Sequence, residues 1–94
     1  MNTGEVAWAL GTVAGYLAEN PDLPVASVTA TIYRHNVDIH AGSLDAVAMW
    51  AKHLGVDVIS RMGEGRVHHE ADGKIDDLGI HVFCLEPTPE ATAS

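Results

Sequence analysis

The chain is short of cations. Five Lys and Arg stand against thirteen Asp and Glu, for a formal net charge of −8. Nucleic-acid affinity is built by neutralising phosphates with Lys and Arg, so this deficit excludes direct nucleic-acid binding as an expected function. A basic protein is the electrostatically favoured partner. Cysteine is nearly missing as well. Cys84 alone cannot form an internal disulfide, and a reducing, cytoplasmic setting is the simplest expectation. On a strand it reads as a small buried side chain. Long apolar runs are lacking too. The most apolar stretch, residues 6–18, is too short to span a bilayer and contains Gly and Thr. No positive segment precedes it, so neither a membrane span nor a secretory signal is expected.

The punctuation of an enzyme is also lacking. No Gly-rich segment lies between a strand and a helix, where a phosphate-cradling loop must sit. The Met62-Gly63-Glu64-Gly65 run joins two strands instead. Ser43 is accounted for as a helix cap, Ser27 and Ser60 have no evident base, and Asp76-Asp77 belongs to a turn. With no triad, nucleophile elbow or cofactor fingerprint, the expectation is a non-enzymatic protein without a cofactor.

What is present is periodicity. Hydrophobic residues make up 47% of the 94 residues, enough for one folded domain over residues 1–86. Residues 87–94 lack an apolar period and are expected to be disordered. The organising stretch is residues 25–62. Over residues 27–33, Val28, Ala30 and Ile32 alternate with Ser27, Thr29, Thr31 and Tyr33, which predicts a strand with one buried face. A tight turn near His35-Asn36 leads to a second strand carrying Val37, Ile39 and Ala41 on one side and Asp38 and His40 on the other. Ser43 then caps a helix with Asp45 in its first turn, Lys52 and His53 in its last and Gly55 at its C-cap. Leu44, Val47, Ala48, Ala51 and Leu54 form its apolar stripe, leaving Trp50 off it at an edge or seam. A third strand is expected over residues 56–61.

Before this stretch, Asn2 or Thr3 caps a helix running to about Glu19. Its face holds Val6, Ala9, Leu10, Val13, Ala14 and Leu17, and Asn20-Pro21 ends it. The Gly11/Gly15 pair would let that helix lie close to the sheet or to the second helix. Trp8 is expected near the seam between helices. After the organising stretch come a strand over residues 66–75, in which Gly73 is expected to mark a bulge, and a strand over residues 79–86. The order α-β-β-α-β-β-β predicts a two-layer α+β fold, two helices packed on one face of a five-stranded, mostly antiparallel sheet. Hairpins of strands 1–2 and 3–4–5 are expected; how they join is left open by the pattern.

The uncovered face would carry Thr29, Thr31, Tyr33, Asp38, His40, Ile59, Arg61, His68, Glu70, His81, Phe83 and Leu85. Its apolar members suit an interface. The interface candidates are Tyr33, His40, Ile59, His68, His81, Phe83 and Leu85, and a homodimer through this face or an edge strand is the leading expectation. His40, His68 and His81, with Glu70 or Asp38, have the chemistry of a zinc site. Their spacing matches no metal motif, however, and His68 and His69 point to opposite faces, so the expectation is that no metal is bound. The alternatives are an acidic inhibitor or DNA-mimicking decoy that occupies a basic protein, and a histidine-mediated metal or small-ligand binder. The cadence YLAENPDLP, alternating strands, AMWAKHLGVDV and a closing hairpin, across residues 6–85, resembles small uncharacterised α+β proteins of actinobacteria and their phages. That resemblance implies no activity and carries over no functional residues.

Overall fold

The structure, a computed structural model, describes residues 1–87. Helix α1 (Thr3–Glu19) is followed by β1 (Ser27–Thr29), β2 (Asn36–His40), α2 (Leu44–Leu54), β3 (Ile59–Gly63), β4 (Arg66–Ile75) and β5 (Leu78–Pro87). The expected α+β order is therefore the observed one. Of the expected disordered tail, Pro87 is the last residue of β5, and residues 88–94 lie outside the described residues.

Both helices start where their caps dictate. The Asn2 side chain accepts from Glu5 N–H at 2.8 Å while Asn2 N–H donates to Glu5 Oε1 at 3.1 Å. This reciprocal pair satisfies two otherwise orphaned donors. Ser43 Oγ accepts from Ala46 N–H at 3.1 Å, and Gly55 closes α2 in the left-handed region at φ 71°.

The sheet order is β1-β2-β5-β4-β3. The β4–β5 hairpin is the spine, ten residues on each side, paired antiparallel from Arg66↔Pro87 to Ile75↔Leu78. The two hairpin groups join through β2 and β5, which run parallel with Val37↔Ile80 and Ile39↔Val82 in register. One face of this sheet is covered. Val37, Ile39, Ala71, Ile80, Val82 and Cys84 meet Ala9 and Val13 of α1 and Val47, Trp50 and Ala51 of α2 in a single core.

Several local expectations give way. The first strand spans three residues, not seven. The chain reverses over residues 30–35, with Ile32 and Tyr33 in a turn, because Asn36 opens β2 and His35-Asn36 supplies no left-handed residue. The third strand starts at Ile59, although Val56 and Val58 still pack on the core. The α2 stripe is rotated. Ala46, Val47, Trp50 and Ala51 are buried while Leu44 is exposed, since the indole takes the central position. Trp50 is fully buried, its Nε1–H donating to Pro24 O at 2.8 Å and its ring stacked 6.1 Å from Tyr16 of α1. Trp8 and Leu10 are about half exposed. Gly73 makes no bulge, because the register runs unbroken through Gly73↔Ile80. A Cβ there would lie 2.9 Å from Leu54 Cβ, so the missing side chain is what lets α2 approach. Gly11 and Gly15 do the opposite of what was expected: nothing lies within 4 Å of a Cβ at either, and they face a surface groove.

Candidate functional site: the uncovered sheet face

Residues i and i+2 of a strand share a face, so His68, Glu70 and Asp72 project together from β4. Register then sets their neighbours. His81 lies opposite Asp72, Phe83 opposite Glu70 and Leu85 opposite His68, with Arg61 and Ile59 beyond on β3. On the other side, Asp38 and His40 of β2 lie level with His81 and Phe83. The sheet thus brings His40, Ile59, His68, His81, Phe83 and Leu85 to one face. Tyr33 is not among them; it sits in the turn between β1 and β2, 88% exposed.

Phe83 is the hub. Its ring stacks on His40 at 5.2 Å and on His81 at 5.5 Å, and His68 tilts against it at 5.8 Å. Three imidazoles around one phenyl ring make a cluster whose apolar surface continues into Leu85 and Ile59, 44% and 50% exposed.

Beside the hub lies the buried carboxylate of Glu70, its side chain 9% exposed. A carboxylate can be buried only if charge partners surround it. Arg61 Nη2 reaches Glu70 Oε1 at 3.1 Å, while His68 Nε2 and His81 Nε2 stand 3.6 and 3.9 Å from Oε2. His81 Nδ1 is hydrogen-bonded to Asp72 Oδ1 at 2.6 Å. His40 is outside this group: the ligand atoms of His68, Glu70 and His81 lie within 4.8 Å of one another, and Phe83 separates His40 from them. Two buried polar side-chain atoms lack a hydrogen-bond partner among the described residues, Asp38 Oδ1 and His68 Nε2. Both belong to this face.

Charge is distributed unevenly. Arg61, Arg66 and Lys74 project to this face by strand alternation, and Arg34 reaches it through its 3.2 Å ion pair with Asp38. These four cations outnumber Asp38, Glu70 and Asp72 by one, so the net negative charge is carried by the rest of the chain.

The covered side holds an arrangement missed in the sequence. Ser60 does have a base partner. Its Oγ shares a 2.6 Å hydrogen bond with His69 Nδ1, His69 Nε2 lies 3.4 Å from Glu86 Oε2, and Glu86 Oε1 accepts from Leu44 N–H at 3.2 Å. The pairing of Ser60 with His69 follows once the turn is fixed at Glu64-Gly65, where Gly65 has φ 69°. The chain of contacts ties β3, β4 and β5 to the start of α2. Asp72 was also overlooked on the open face, although alternation with His68 and Glu70 places it there. Cys84 is fully buried, and desolvation, with a smaller contribution from the Glu86 charge, pushes its thiol pKa up.

Among the described residues, no helix is long and apolar enough to cross a membrane. No family model, curated protein or solved structure matches the chain, and what the sheet face does must be argued from its own chemistry.

Proposed function

We propose that the protein is a non-enzymatic interaction module that forms a homodimer by packing the uncovered sheet faces of two chains together. The observation that carries this reading is the composition of that face: an aromatic hub flanked by exposed Leu85 and Ile59, with no excess of negative charge, on a molecule whose remaining surface is strongly acidic. Two acidic chains repel wherever their helix layers or turns meet, and this face, with its mixed charges, offers an approach with little like-charge repulsion. Sheet faces pack at about 10 Å with interdigitating side chains, and a second layer over Phe83 and Leu85 would remove their apolar surface from water. Asp38 Oδ1, buried and unpaired, favours the same face, since natively buried polar atoms almost always find a partner. A reducing, cytoplasmic setting suits the unpaired Cys84.

The test is light scattering across a concentration series. Wild-type protein is expected at twice the chain mass, and Leu85→Arg at the chain mass. Met49→Arg on the outer face of α2 should behave as wild type. A wild type that stays at single-chain mass up to high concentration defeats the proposal.

A further inference from the structure

We infer that His68, Glu70 and His81 form a binding site for one divalent transition-metal ion of the zinc type, with Asp72 as a positioning residue. The argument begins with the ligand atoms. Two imidazole nitrogens and one carboxylate oxygen are the donor set that selects zinc and its neighbours over magnesium or calcium, which prefer all-oxygen sites. Three protein ligands with a fourth position left for water are also the composition of open zinc sites.

The spacing fits. Ligands at about 2.0–2.1 Å from a tetrahedral ion are separated from one another by roughly 3.3 Å. Glu70 Oε2 lies 3.6 Å from His68 Nε2 and 3.9 Å from His81 Nε2, and one ligand atom from each of the three residues falls within 4.8 Å of the others. Closing the set takes small side-chain rotations, with no movement of the strands. The donors are also free to ligate. His68 Nε2 is buried with no hydrogen-bond partner among the described residues. Arg61 engages the other carboxylate oxygen, Oε1, and leaves Oε2 to the imidazoles.

The surroundings orient the donors. His81 Nδ1–H donates to Asp72 Oδ1 at 2.6 Å, which keeps the proton on Nδ1 and leaves the Nε2 lone pair facing Glu70. A carboxylate holding the far nitrogen of a ligating histidine is the usual supporting contact at zinc. Phe83 packs against both rings and limits their rotation. The three ligands come from β4 and β5, the paired strands of the hairpin spine. His40, on the far side of Phe83, is outside the set.

The site is tested on untagged protein by titration with Zn²⁺ alone and with Co²⁺ alone, counting ions per chain, so that the outcome does not turn on whether chains associate. One ion per chain is expected, with a visible Co²⁺ spectrum of low-symmetry, four-coordinate type. His68→Ala and His81→Ala should each weaken binding at least tenfold. Asp72 is largely exposed, so its replacement leaves the fold intact; Asp72→Ala should cost about 10–100-fold. Asp72→Asn, which keeps an acceptor oxygen, should cost less than Asp72→Ala. His40→Ala, His35→Ala and His53→Ala should bind as wild type. Absence of stoichiometric binding overturns the inference, and so does binding that survives both His68→Ala and His81→Ala or that is lost with His40→Ala.

Discussion

Leu54 and Gly73 set how closely α2 can approach the sheet. With Cβ–Cβ separation at 2.9 Å, Gly73→Ala has to push Leu54 away. The expected outcome is a loss of about 1–3 kcal/mol, the usual cost of overpacking, read by urea denaturation. Cys84 makes a second residue-scale prediction. A buried thiol with a raised pKa is protonated and inaccessible at neutral pH, so Ellman's reagent should label it only after unfolding. The linkage has a definite sign. The thiol's contribution to stability is full below its unfolded value, near 9.0, and is lost as pH climbs towards the higher folded value. At this scale the alternation of β4 and β5 made His68, His81, Phe83 and Cys84 legible. Trp50 was not: its burial depends on Tyr16 and Pro24, contacts between segments distant in sequence.

Elements were legible where local chemistry sets their ends. Ser43 and Gly55 bound α2, Asn2 and Glu5 start α1, and Asp76-Asp77 turns β4 into β5. They were misjudged where alternation continues beyond the pairing partner. Residues 30–33 keep a strand-like pattern, yet pairing with β2 stops at Thr29↔Asp38 and the chain turns away before Val37 and Asn36 find a partner in β1. The Gly11/Gly15 pair belongs here too. As nothing meets a Cβ at either position, Gly11→Ala and Gly15→Ala should each stabilise the protein by about 0.5–1 kcal/mol through helix propensity alone, seen as higher thermal midpoints. A destabilised variant would mean that α1 packs more tightly than described. The capping bond of Ser43 makes the reverse case: Ser43→Ala should lower stability by about 1 kcal/mol.

For the whole molecule, the strand order could not be read from the chain. The join between β2 and β5 is parallel and pairs residues more than forty positions apart, and no local signal encodes such a contact. The separation of charge was equally hidden, because it appears only when β3 and β4 bring Arg61 and Arg66 to the face that holds Glu70 and Asp72. That separation has consequences for partners. Association through the uncovered face, where charges of both signs nearly cancel, should change little between low and moderate salt, whereas a basic protein held by the acidic surface should dissociate as salt screens it. Salt-sensitive dimerisation would point to contacts outside the uncovered face.

The most direct measurement is a dilution series followed by amide and aromatic resonances. Concentration-dependent shifts are predicted at Ile59, His68, Phe83 and Leu85, with Met49 and Lys52 on α2 unchanged. Shifts that gather on the helix layer, or spectra unchanged at every concentration, would contradict the account.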